Sequence, residues 1–302
     1  MDEFVRAQED ALRRYGVDAE TRFVDVDAVG GRAHVVVAGD GPPVIMVIGG
    51  GLPAAMWAPL MAKLQGYRLH AVDLPGLGLT DPVRYSTVTL RSCAVEFLDQ
   101  VRAGLGIDRA VLVGHSVGGV WSTWTALDRP DGVAAVVLVA CPAAMLGTSA
   151  PLPLRLWSVP GLGALMNRLQ PPSPKQADML ARAAGEDFTD HPELRSLLVA
   201  GERLPGWADQ LADLVGSVVR LSGSRRAVQL GDGDLQRLTR PVQLIWGRDD
   251  TFGPPSVGER AAQLIPRAEL HVVPGGHGPW FRYSGQVAER VAPFLRTHGA
   301  RT

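Results

Sequence analysis

Residues 110–118 read Ala110-Val111-Leu112-Val113-Gly114-His115-Ser116-Val117-Gly118, and the fold follows from how that stretch must bend. Its first four residues form a short apolar run of the kind that makes a buried strand, and Val117–Leu127 continues with helical character. A serine between strand and helix sits on a turn so sharp that side chains two positions before and after it would collide. Glycine at 114 and 118 removes both. The same turn lifts the Ser116 hydroxyl clear of the sheet and aims the free N–H groups of a helix N-terminus at any negative charge that develops nearby. Ser116 is the first candidate nucleophile, and the side chain of His115 is expected to point away from it and pack.

Working outward, similar apolar runs recur at Val44–Ile48, Leu69–Val72, Val133–Ala140, Val242–Trp246 and Leu270–Val273. They are rich in Val and Ile and hardly alternate, as strands buried on both faces of a parallel sheet should. Between them lie helical segments, one over Leu90–Leu105 with Thr89 as its N-cap. This rhythm predicts an α/β fold with a mostly parallel central sheet flanked by helices. Ahead of it, Phe23–Asp27 and Ala33–Val37 flank Gly30-Gly31 and predict an antiparallel hairpin, with residues 2–15 a short amphipathic helix packed outside it. The rhythm lapses between 142 and 238, a proline-dense interval with helical fragments at Lys175–Ala184 and Trp207–Val219, then resumes at Pro241. The expected organisation is a core of residues 1–141 and 239–302, with a helical cap, 142–238, inserted before the last two strands.

The chain is 46% hydrophobic and 20% charged, with a formal charge of −1. Such values fit a soluble protein with a sizeable core and give no reason to expect nucleic acid or an anionic membrane as a partner. Gly41–Ala62 and Val133–Leu154 are uncharged, but prolines and glycines break them, so strand, loop and helix explain them better than a membrane span. The acidic N-terminus lacks a signal-peptide core, and a cytoplasmic protein is expected. Cys93 and Cys141 form no disulfide framework or metal-ligand spacing and are expected to be buried thiols. Asp73–Gly78 contains Gly-x-Gly without the dinucleotide fingerprint. No metal or cofactor is expected, and a small-molecule substrate is the expected partner.

A serine hydroxyl needs a base. His34, His70 and His271 lie in or beside strands, His191 in the insertion and His298 in the polar tail. His277 lies in the turn Pro274-Gly275-Gly276-His277-Gly278-Pro279 after the last strand, at the sheet edge where ligand sites gather. Its imidazole needs a carboxylate, and Asp249 or Asp250 in the loop after Val242–Trp246 can supply one; the spacing from Gly247 selects Asp250. A tetrahedral oxyanion needs two donors. The N–H of Val117 is one, and the Gly49-Gly50-Gly51 loop offers the other, at Gly51 or, failing that, Leu52. Substrate contacts are expected at Gly50, Leu52, Trp57, His115 and Trp157.

With these residues in hand, the chain resembles the α/β-hydrolase superfamily, in its cap-bearing esterase and C–C hydrolase-like branch. The likeness spans nearly all of residues 21–297. It rests on Asp73-Leu74-Pro75-Gly76-Leu77-Gly78, Gly114–Gly118, Trp246-Gly247-Arg248-Asp249-Asp250 and Gly276-His277-Gly278-Pro279. The resemblance implies a triad of Ser116, Asp250 and His277, and a cap that roofs the site and sets substrate choice. Two positions depart from the family pattern. Gly49 stands where the oxyanion loop usually carries His, which predicts a roomier pocket or a different reaction, and Arg282 stands where a Glu usually follows the catalytic His. Apolar residues Leu152, Leu154, Leu156, Trp157, Leu162, Leu165 and Met166 suggest a hydrophobic substrate. The reading that follows is a serine esterase or related acyl hydrolase working through an acyl-enzyme. The alternatives are a lyase, cyclase, acyltransferase or perhydrolase on the same fold, or a ligand-binding receptor that retains the triad.

Overall fold

The computed structural model describes residues 1–299 except 141, 143, 160, 163, 164, 166–168 and 170. Eight strands make the main sheet: β1 (Ala19–Val26), β2 (Gly31–Ala38), β3 (Pro43–Val47), β4 (Arg68–Val72), β5 (Ala110–His115), β6 (Val133–Val139), β7 (Val242–Gly247) and β8 (Ala268–Val273). Their spatial order is β1-β2-β4-β3-β5-β6-β7-β8. β2 runs antiparallel to both β1 and β4, and every later pairing is parallel. Every residue of β5 and β6 is buried, because helices cover both faces there. β8 differs from the expected buried run. Only its Val273 is buried, since it is an edge strand bonded to β7 alone.

The hairpin forms where expected, its strands extended to Ala19 and Ala38 and its turn closed by Gly30 at φ 61. Helix α1 (Asp2–Arg14) carries acids in its first turn and arginines in its last, matching the helix dipole at both ends. It does not pack outside the hairpin. Its apolar stripe, Phe4, Ala7, Ala11 and Leu12, lies on a helix of the insertion. Tyr15 at its end bonds His191 Nδ1 at 2.8 Å, and Glu3 takes Arg203 at 2.6 Å. The stripe is the only apolar face the segment has, and the insertion supplies the matching surface.

Helix α2 (Leu90–Gly104) begins at Thr89, but that hydroxyl pairs with Ser86 Oγ at 2.8 Å and does not cap the helix. Cys93 on α2 is half-buried, where full burial was expected; Cys141 lies outside the described residues. Helix α3 (Val117–Asp128) follows β5 directly. Between β6 and β7 the chain leaves the sheet as a helical insertion holding α4 (Pro174–Ala183), α5 (Pro192–Glu202) and α6 (Trp207–Val218), with short helices at Leu152–Arg155 and Asp232–Gln236. Helices α7 (Pro255–Leu264) and α8 (Trp280–His298) complete the core. The two uncharged stretches resolve into strand, loop and short helix, and no described helix is long and apolar enough to cross a membrane.

Phe4 is 1% exposed. Phe4→Ala should therefore cost about 3–5 kcal/mol of stability, read from urea denaturation midpoints. A helix loosely attached at the surface would lose less than about 0.5 kcal/mol.

Candidate active site

Ser116 links β5 to α3 with φ 53 and ψ −122, a conformation that costs a non-glycine residue on the order of 1–3 kcal/mol. The surroundings hold it there. A Cβ on Gly114 would lie 2.6 Å from both the Gly118 carbonyl oxygen and Ser122 Oγ, and one on Gly118 would run into the carbonyls of Val47 and Ile48. Both glycines of the elbow are therefore required by contact, for the reason the sequence suggested. Val117 opens α3, so its N–H belongs to the turn that has no partner inside the helix.

His277 is 5% exposed, and its Nδ1 lies 2.9 Å from Asp250 Oδ1. The same Asp250 oxygen accepts the N–H of Phe252 at 2.9 Å, and the Phe252 ring stacks on the imidazole at 3.6 Å. Asp249 points elsewhere and is exposed. With Nδ1–H donated to a carboxylate, Nε2 keeps its lone pair. That atom is buried, has no partner among the described residues, and belongs to a ring that lines one cavity together with Ser116. No hydrogen bond joins it to Ser116 Oγ in this structure; such contacts are often long before substrate arrives.

The loop beneath His277 is fastened to the insertion. Glu186 Oε1 accepts the N–H of Gly276 at 2.8 Å and of Gly278 at 2.9 Å. Between them, the His277 N–H donates to the Ala184 carbonyl at 2.8 Å. Three consecutive amides of the histidine loop are thus held by residues just after α4. The backbones approach so closely that a Cβ on Gly276 would collide with Ala184 and Gly185.

The space beside Gly49 is not roomier. A Cβ there would come within 2.5 Å of His115 Nδ1 and 3.1 Å of Ser116 Cβ, because the His115 imidazole occupies it. That ring is 4% exposed, lies edge-on to Trp57 and Trp280, and bonds the His277 carbonyl through Nε2 at 2.9 Å. Burial, then the nearby His277, hold its pKa well below the usual histidine range, so it stays neutral. His115 both packs and lines the cavity, and it does not simply turn away. The Leu52 N–H is committed to the Gly49 carbonyl at 3.3 Å, while Gly51, with φ 83, lies on the wall of the larger cavity described below. Asp73 steadies this loop from behind, accepting the Ala54 N–H and His34 Nδ1, each at 2.6 Å, with no solvent exposure.

Two adjoining cavities, about 180 and 170 Å³, meet at His277. Gly50, Leu52, His115 and Leu154 line both, and Trp157 lines the larger. Trp57 does not line either. It is fully buried behind His115 with its ring 4.2 Å from that of Trp280, so its expected substrate contact is withdrawn. Of the apolar residues expected to face substrate, Leu154 and Trp157 line a cavity, whereas Leu152 and Leu165 are half exposed to solvent and Leu156 and Leu162 line neither cavity. Met166 lies outside the described residues. The wall is supplied instead by residues such as Leu180, Phe188, Leu198 and Leu211.

Two carboxyls break this apolar wall, Glu186 (5% exposed) and Glu202 (4%). Sequence reasoning missed both, although Glu202 left a signal, falling four and eight residues after Leu198 and Leu194 on the buried stripe of α5. Glu186 left none. Burial pushes each to about 7 from 4.5. For Glu186 the Gly278 and Gly276 amides, His277 and Arg282 pull partly the other way. That gives Arg282 a physical account: it is exposed and supplies positive charge toward Glu186 and Asp187.

Between pH 4.5 and 7 the folded chain keeps protons on these carboxyls that the unfolded chain has released. Each of these carboxyls should therefore contribute a loss of stability as pH rises across that window, on the order of 3 kcal/mol, opposed by the buried imidazoles of His70 and His115, whose lowered pKa values make their contribution rise with pH. Between pH 5 and pH 8 the stability of Glu202→Gln, read from urea denaturation, should change more favourably than that of wild type by on the order of 3 kcal/mol. Identical pH profiles would mean Glu202 ionises as easily folded as unfolded.

A family model described as alpha/beta hydrolase fold matches residues 42–281. A 2-hydroxy-6-oxononadienedioate/2-hydroxy-6-oxononatrienedioate hydrolase from a Pseudomonas species is 29% identical over 287 residues, covering 91% of this chain and 96% of its own. A pimeloyl-[acyl-carrier protein] methyl ester esterase of Shewanella oneidensis is 24% identical, covering 87% and 94%. Among solved structures, carboxylesterase CesB of Bacillus subtilis superposes with a TM-score of 0.77 at 24% identity, covering 97% of this chain and 96% of that one.

Proposed function

The chain belongs to the alpha/beta hydrolase fold family, and on that premise we propose that it is a serine hydrolase cleaving an ester or related acyl bond. The observation that carries this reading is the convergence of a strained serine and a carboxylate-bonded histidine on one apolar cavity. In this mechanism His277 Nε2 takes the Ser116 proton as Oγ attacks the acyl carbon. The oxyanion is received by the N–H groups of Val117 and Gly51. Collapse expels the leaving group, which takes the proton from His277, and water repeats the sequence on the acyl-enzyme. Asp250 holds the imidazole in the required tautomer and balances its charge, while residues 142–238 act as the cap that shapes the pocket.

Relatives by name divide between carbon–carbon and ester hydrolysis. Charge favours the second for this chain. The carbon–carbon hydrolase reported above is named for a dicarboxylate substrate, whereas the described lining of the larger cavity holds two carboxyls and no lysine or arginine. A carboxylate ligand would be repelled there once these carboxyls ionise, above about pH 7. The favoured substrate is a small ester without negative charge, its chain lying against the apolar wall.

Wild type should hydrolyse p-nitrophenyl esters of short to medium acyl chains, and Ser116→Ala should lose on the order of 10⁴–10⁶ in rate. A fluorophosphonate should label wild type and not the variant, by mass spectrometry. Labelling without ester turnover would point to the lyase or transferase reading, and absence of both would remove the nucleophile.

A further inference from the structure

Glu202 has no place in the chemistry just described, and its position is unfavourable on three counts. It is 4% exposed, and its Oε2 has no hydrogen-bond partner among the described residues. It is the last residue of α5, where the helix dipole already concentrates negative potential and a cation is the favoured side chain. Its surroundings on the cavity wall are mostly apolar, including Leu198, Trp207 and Leu211. The adjacent cation does not relieve it. Arg203 is turned outward, with Nη1 2.6 Å from Glu3 and Nη2 3.1 Å from the Pro172 carbonyl.

We propose that Glu202 recognises an ammonium group carried on an apolar chain of the substrate. The inference rests on the reading of this cavity as the substrate pocket and names what that substrate carries. A cation in this cavity would meet the Glu202 carboxyl, the C-terminal end of α5 and a second carboxyl, Glu186, in a wall whose described residues include no competing lysine or arginine. Charge-assisted hydrogen bonds are the strong ones, and a water-poor site strengthens them further. An alcohol could accept or donate one bond to Glu202 but would gain nothing from the other two features. A carboxylate would be excluded. Glu186 is less available, because one of its oxygens already holds the His277 loop.

The test is direct binding, so that it does not depend on turnover. n-Hexylammonium, 1-hexanol and hexanoate are titrated calorimetrically, at about pH 8 where the carboxyl is ionised, into wild type and Glu202→Gln. Wild type should bind the ammonium about tenfold or more tighter than the alcohol and hexanoate too weakly to measure, and Glu202→Gln should erase the preference. Taking the ratio within each protein cancels general effects of the substitution. Should Glu202→Gln fail to fold, Glu202→Asp, which withdraws the carboxyl by one methylene, should narrow the same ratio. Equal binding of ammonium and alcohol by wild type overturns the proposal, as does a preference that survives in the variant. With p-nitrophenyl 6-aminohexanoate and hexanoate, the preference should appear mainly in KM. Failure of both esters to turn over would count against the hydrolase reading, while the calorimetry still decides the ammonium.

Discussion

The structure depends on one strained residue. Ser116 holds a left-handed backbone conformation that its own chemistry disfavours, and it does so because β5 ends and α3 begins without a spacer. That arrangement requires glycine on either side and requires the carbonyls of Val47 and Ile48 to pass close by. The place of the serine is therefore defined jointly by β3, β5 and α3. Strain of this kind persists only where the packing around it determines it fully, and this one lies against a sheet whose central strands are buried along their whole length.

Around the elbow, the site is built from layers that fix one another. Asp250 sets the imidazole, Phe252 covers its face, and His115 bonds the carbonyl of the same histidine. Behind the glycine loop, the buried His34–Asp73 pair reaches Ala54 and so fixes where Gly50 and Gly51 can lie. The substitution of glycine for the usual loop histidine is balanced from another strand. An imidazole still stands beside Ser116, contributed by His115 at the end of β5.

What the sequence could reveal followed from the range of each interaction. The elbow, the central strands and the hairpin are decided by neighbours a few residues apart, and they were legible. The choice of Asp250 over Asp249 needed the spacing from Gly247, and the structure puts only Asp250 against His277. Contacts between distant segments were not legible. Nothing near residues 2–15 says that their partner is α5, and nothing near Gly49 says that His115 fills the space beside it. Trp57 is an expected substrate contact from the sequence, yet Trp280 from α8 packs against it. Glu202 was legible in part, as an acid on an apolar stripe, but only the fold shows that the stripe ends at a cavity.

Glu186 and Ala184 together grip the amides of residues 276–278, and this limits how the pocket can be entered. Swinging that portion of the roof upward would strip the histidine loop of all three bonds and let the imidazole drift from the serine. An opening that keeps these three bonds intact has to lie along another wall, which makes the stretch after α4 a fixed pier rather than a door.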